Sequence, residues 1–431
     1  MITILKSKKF IISVLAIASL FICIKIVWAM SILPTRQINV AANLSLSSAV
    51  ATPSIVGWNF EDKINKAKTL LADVILAVGD RDIEYIEKRI SINNGKITVS
   101  DKKFKDAERQ IALILLNKNT GALSEVTIIK KGAALVAPQG YQIDIVERQN
   151  GIRWNYWATE YKVIQPANTM VLLNKWPEKE IKKVSKIVVS KTGKKSTTYQ
   201  NISEIRYIVY APYSADYHVP EMVALGDKYI RTMVSDAFAK LRQNGVYSRA
   251  YKDRYISDVS VLRADFFSKI PITEHSDLGE FTIDPQKTAE RVKIIVAANN
   301  GYAFGETCNA ATACGWVQYT PRTYKEIAKV YPKAKIISDF KTGAADHLNS
   351  MMAAILLYDY NLAGLIKTHG LQIANDPRLE EYLAAAYNGA PSRVNQSLKA
   401  SIAMNLPDWA GKLLPETKGY LAKIRFLQKY D

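Results

Sequence analysis

The chain has 431 residues, 48% of them apolar and 23% charged, with three cysteines and a formal net charge of +18. That length allows two or three domains with cores of their own, and the composition is ordinary for a globular protein. The charge suits an anionic partner (nucleic acid, acidic lipid or an anionic wall polymer) unless it is only a basic surface, and no helix-turn-helix, zinc-finger or RNA-binding signature supports nucleic acid.

In chain order, Lys6, Lys8 and Lys9 precede an apolar run from Phe10 to Ile24, which resumes after Lys25 and continues to Leu33. A basic flank before an apolar core predicts an export signal, or an anchor that leaves the rest of the chain outside. Val27-Trp28-Ala29 is a poor cleavage site, and Cys23 lacks the small preceding residue of a lipidated cysteine. Residues 1–33 are therefore expected to be a signal anchor or signal peptide, with 34–56 as an extended tether. The expected place is the cell envelope: membrane-anchored with extracytoplasmic domains, or exported if the signal is cleaved.

Ile64, Ala67, Leu71, Val74, Ile75 and Val78 recur at helical spacing, and Ala107, Ile111 and Leu113–Leu115 predict a second helix ending by Gly121. Residues 57–120 are read as a helical segment, with a turn at Asn94-Gly95. From 121 to 214 the pattern alternates. Val126–Ile129, Tyr141–Val146, Ile152–Tyr161, Lys186–Val189 and Ile205–Tyr210 predict a small antiparallel β module, with a hairpin turn at Asn150-Gly151. Its loops are expected to hold Lys182, Lys183, Lys191, Lys194 and Lys195, a solvated surface or a contact for an anionic polymer. Residues 215–283 read as a helical connector containing an amphipathic helix over Pro220–Asn244. Asp284-Pro285, Thr320-Pro321 and Asp376-Pro377 each place a capping side chain before a proline, so helices are expected after each. Ala344–Ile366 reads as a long buried helix at the centre of an all-α domain over 284–431, with Asp346-His347 capping its start.

Within that last segment Gly301–Pro321 predicts a loop between two helices, rich in aromatics and carrying Glu306. Cys308 and Cys314 form a local pair; in an exported protein a disulfide is expected, and the alternative is two free thiols. No second Cys or His pair has ligand spacing, so no metal and no cofactor are expected.

Three stretches carry a resemblance. Gly315-Trp316-Val317-Gln318-Tyr319-Thr320-Pro321 with Thr323-Tyr324, then Ala385-Ala386-Tyr387-Asn388-Gly389, then Leu414-Pro415-Glu416-Thr417 with Tyr420-Leu421, resemble in order the three motifs of soluble lytic transglycosylases. The resemblance covers about the last third of the chain. With the β module and helices before it, the chain is expected to be an α+β multidomain protein; the resemblance implies that it ends in an all-α lysozyme-like transglycosylase domain. It also implies cleavage of the MurNAc-GlcNAc bond of peptidoglycan with a 1,6-anhydro product, by one protonated glutamate. By that resemblance Gln318, Tyr387 and Asn388 line the substrate cleft. The family glutamate lies about eighteen residues before the motif glutamine, and counting back reaches Asn300. The nearest carboxyl, Glu306, becomes the candidate catalytic acid; Glu290 lies too early on its helix. The alternative is a non-catalytic peptidoglycan-binding or scaffold protein that has lost the acid. The expected partners are peptidoglycan glycan strands and, through the N-terminal segment, a membrane.

Overall fold

The computed structural model describes residues 57–430, apart from 94–95, 147–154, 190–192, 194, 310 and 405–407. The expected signal segment and tether lie outside the described residues, as do the Asn150-Gly151 turn, Lys191 and Lys194. Among the described residues no helix is long and apolar enough to cross a membrane.

The chain enters through helix α1 (Phe60–Leu71). Asn59 caps it, its side chain accepting from the Asp62 amide at 2.8 Å. Phe60, Ile64, Ala67 and Leu71 bury one face. At the other end the buried Lys175 ammonium donates to the carbonyls of Leu71 and Ala72 at 2.5 and 2.8 Å, a cation at the negative end of a helix.

The second expected helix is instead a strand. Eight strands follow α1: β1 (Val78–Asn93), β2 (Lys96–Asn117), β3 (Leu123–Lys131), β4 (Ala134–Val136), β5 (Gln142–Ile145), β6 (Tyr161–Gln165), β7 (Thr169–Val189) and β8 (Lys195–Tyr210). All but β5 and β6 form one antiparallel sheet in the order β4-β3-β2-β7-β8, with β1 also paired to β2. The reason lies in β2. Ala112, Ile114 and Leu116 enter the main core, whereas Ile111, Leu113 and Leu115 enter a second core with Val126, Ile128 and Trp176. A strand buried on both faces reads as an unbroken apolar run, and such a run looks like a helix to a periodicity argument.

The fold class is corrected accordingly. This is an α+β chain whose long antiparallel sheet lies in its middle, so the β module is not small. The helices lie mostly C-terminal to it, not before it. The expected division at 120/121 falls between two strands paired from Arg109↔Lys130 to Leu116↔Leu123. Ile152–Tyr161 is not a strand in its described part, since pairing begins only at Tyr161↔Ile145. Lys182 and Lys183 sit on β7 rather than in loops.

After the sheet come α2 (Pro220–Gln243), α3 (Ala264–Phe267), α4 (Lys269–His275), α5 (Leu278–Ile283) and α6 (Pro285–Asn299). Then follow α7 (Pro321–Val330), α8 (Phe340–Ala345), α9 (His347–His369), α10 (Leu379–Gly389), α11 (Pro391–Ala403) and α12 (Pro415–Tyr430). Asp284 and Thr320 cap α6 and α7 with proline at the first helical position. After Asp376-Pro377 the helix starts later, at Leu379. Asp346 caps α9, whose residues are buried nearly all round. Gly226 lets α2 cross α6 closely: a Cβ there would stand 1.9 Å from the Lys293 carbonyl. Sheet and helices share the main core. The Asn299 amide joins them, accepting from the Ala211 amide at 2.7 Å and donating to the Ala211 carbonyl at 2.9 Å.

Candidate active site

The loop from Ala303 to Thr320 is held at several points. Cys308 and Cys314 are disulfide-bonded. Cys314 and Tyr319 exchange backbone hydrogen bonds of 2.8 and 3.0 Å, and the Gly315 amide donates to the Thr307 carbonyl at 3.0 Å. Gly315 has φ +82°, and a Cβ there would meet the Ala344 carbonyl oxygen at 2.1 Å, so this turn packs against the entrance to α9 in a way only glycine permits. Trp316 is fully buried, stacked on the His347 ring at 4.1 Å and donating through its indole N–H to Ser350 at 2.6 Å. It belongs to the main core.

Beside this loop opens a cleft of about 560 Å³ between helices and sheet side. Phe304, Thr307, Cys308, Asn309 and Gln318 form its loop wall; Glu274, His275, Asp277 and Glu280 come from α4 and α5; Arg291 and Ile295 come from α6; Trp157, Ala158 and Tyr213 close the sheet side. Gln318 is among the residues that line this cleft. It adopts a positive φ of 53°, and its amide donates to the Gly315 carbonyl at 2.8 Å and the Thr307 carbonyl at 3.3 Å.

Glu306 faces elsewhere. Its carboxylate is gripped by both terminal nitrogens of Arg206 on β8, one contact at 2.8 Å, and accepts from the Tyr156 hydroxyl at 3.3 Å. The Arg206 hydrogen bonds hold its carboxyl below the usual glutamate range. A general acid needs the opposite shift, so the geometry makes Glu306 a tie between loop and sheet. Asn300, the position reached by counting, is exposed at the end of α6 and lines a separate hollow with Ile64, Met222 and Tyr229.

Not singled out from the sequence is Glu274, a cleft carboxyl in the last turn of α4, forty-four residues before Gln318. Burial pushes its carboxyl up to about 8 from the ordinary 4.5; the Tyr420 hydroxyl and the Lys423 ammonium pull it down, and Glu416 adds a smaller upward push. Lys423 of α12 also fixes the end of α4, donating to the carbonyls of Thr273 at 3.0 Å and Ser276. The neighbouring His275 ring stacks on Phe304 at 3.8 Å, and burial keeps it neutral, down to about 3. The other two carboxyls of the cleft are engaged: Asp277 caps α5, and Glu280 pairs with Arg291 at 2.5 Å.

Tyr387 and Asn388 stand behind the cleft wall. The Tyr387 hydroxyl donates to the Val317 carbonyl, supporting the residue before Gln318, and its ring lies within electrostatic reach of Glu274. Asn388 accepts from the Thr417 hydroxyl at 3.0 Å, joining α10 to α12. Neither is among the residues that line the cleft. Only one signal in the sequence pointed to Glu274: a carboxyl closing a short apolar helix, Lys-Ile-Pro-Ile-Thr-Glu-His. Among the described residues no group of three or more His, Cys, Asp or Glu is placed to hold a metal ion.

Comparison with protein-family models, with curated proteins and with solved structures gives no match.

Proposed function

We propose that this protein cleaves the glycan strands of peptidoglycan as a lytic transglycosylase, with Glu274 as its one catalytic acid. The observation that carries the reading is a carboxyl raised to about 8 at the wall of a cleft that also holds Gln318. Such a group is protonated at neutral pH and becomes a strong base once it has given its proton away. Glu274 would donate that proton to the glycosidic oxygen as the bond to the anomeric carbon breaks. The carboxylate would then take the proton of the same sugar's 6-hydroxyl while its oxygen closes on the anomeric carbon. The product is a 1,6-anhydro sugar, no water is consumed, and Glu274 ends protonated again. Engagement of Asp277 and Glu280 in a cap and an ion pair favours this one-carboxyl route over two-carboxyl hydrolysis. Gln318, with Tyr387 supporting it from behind, would seat the acyl-amino sugar. The disulfide beside the cleft suits an oxidising compartment outside the cytoplasm, where such a substrate lies.

The test is muropeptide analysis after incubating the protein with peptidoglycan. Release of anhydro-muropeptides is expected, falling by about 10²–10⁴ in Glu274→Gln. Glu306→Gln should keep most of the activity. Full activity in Glu274→Gln would remove the assignment. Glycan binding without any release from the parent would make the protein a glycan-binding protein.

A further inference from the structure

A cluster of exposed apolar side chains lies on the outer half of β7 and β8. Pairing of β2 with β7 ends at Ala112↔Lys175. From Trp176↔Ile208 out to Val189↔Lys195 the two strands pair with each other in unbroken register. The result is a two-stranded ribbon roughly 45 Å long, at about 3.3 Å per residue. A ribbon of this kind is marginal in water by itself. Its composition makes matters worse: on one face Ile181, Ile187 and Tyr199 are 72, 66 and 71% exposed, and on the other Val184, Val188 and Ile202 are exposed by 40% or more. Lysines share both faces, Lys183 with the first set and Lys182 and Lys186 with the second. Between Glu178 and Glu204 the chain carries seven lysines against three glutamates.

We propose that this ribbon is a membrane-contact arm that lies in the headgroup layer of an anionic phospholipid membrane. Three properties select that occupant. A folded protein would cover one face and leave the isoleucines or valines of the other in water, whereas the interfacial layer receives both faces. The excess of lysine repels a second copy of the same arm and attracts anionic headgroups, each lysine contributing about 1 kcal/mol near such a surface. A soluble anionic polymer would satisfy the lysines but gives the isoleucines nothing to bury against. The open backbone edges keep the arm out of the hydrocarbon, where they would find no hydrogen-bond partners, and in the headgroup zone water and phosphate oxygens supply them.

The experiment uses the full chain with Cys23→Ser and Ile187→Cys, carrying a polarity-sensitive fluorophore on the new thiol; Cys308 and Cys314 are bonded to each other and stay unlabelled. Vesicles of phosphatidylcholine with phosphatidylglycerol should blue-shift the label, and about 1 M salt should abolish the shift by screening. Pure phosphatidylcholine vesicles, which an apolar N-terminal segment could still enter, should leave it unchanged. Replacing Lys182, Lys183 and Lys186 by Gln should weaken the response on the order of 100-fold. An unshifted label with anionic vesicles overturns the proposal, as does an equal shift with neutral ones. A shift produced by peptidoglycan fragments without lipid would assign the arm to the wall polymer instead. A shift that grows with protein concentration alone would assign it to self-association.

Discussion

At Glu274 the environment decides the chemistry. Two glutamates stand near the same loop, and their surroundings move them in opposite directions: Arg206 holds Glu306 as a carboxylate, while burial holds Glu274 as an acid. The rate should therefore fall as pH rises through about 8, because the required form of Glu274 is the protonated one. The same shift predicts a stability effect. The folded state binds this proton more tightly than the unfolded chain, so its contribution is complete below about 4.5 and is lost as pH rises through about 8. Glu274→Gln cannot ionise, so it should gain on the parent in thermal midpoint across that window and match it most closely below pH 4.5. Melting curves at pH 4, 6, 8 and 9 measure the gap, and a constant difference would mean the carboxyl is not raised.

At the scale of elements, the loop that forms one cleft wall depends on two local devices, the disulfide and the Gly315 turn. Removing the disulfide by Cys308→Ser with Cys314→Ser frees a short loop and should cost about 2 kcal/mol. Gly315→Ala asks for a Cβ 2.1 Å from the Ala344 carbonyl at φ +82°, and should cost about 2–3 kcal/mol. Both changes sit beside Gln318, so both should raise KM for glycan more than they lower kcat. Urea denaturation and steady-state kinetics check the two halves. A Gly315→Ala protein with parental stability would mean the turn relaxes away from Ala344 at the end of α8.

For the whole molecule, the connection between sheet and helices is small and buried. Asn299 satisfies both backbone groups of Ala211, just past β8, and also donates to the Ile295 carbonyl at 3.0 Å. Asn299→Ala strands the Ala211 amide and carbonyl away from water and should cost about 2–3 kcal/mol. The shared core predicts that the parent unfolds its sheet and helices together. The variant, with that link cut, is expected to separate tryptophan fluorescence, which reports both halves, from far-ultraviolet dichroism, dominated by the helices. Coincident curves in the variant would show that the shared core alone couples the halves.

The sequence by itself determined what depends on near neighbours. Asp284-Pro285 and Thr320-Pro321 start helices because capping and proline geometry are local, and Cys308 finds Cys314 because a short loop can close. Gln318 was singled out through the motif around it, and it lines the cleft beside the loop. Tertiary structure decided the rest. Residues 107–117 form a strand because two cores, one on each side, take alternate side chains, and no window of sequence shows that a run is buried on both faces. The raised pKa of Glu274 was hidden for a related reason. Its proton is held by desolvation, against the pull of Tyr420 and Lys423 on α12, nearly 150 residues further along the chain. A count along the sequence led to Asn300, because contacts that set a pKa are made in space and spacing does not preserve them.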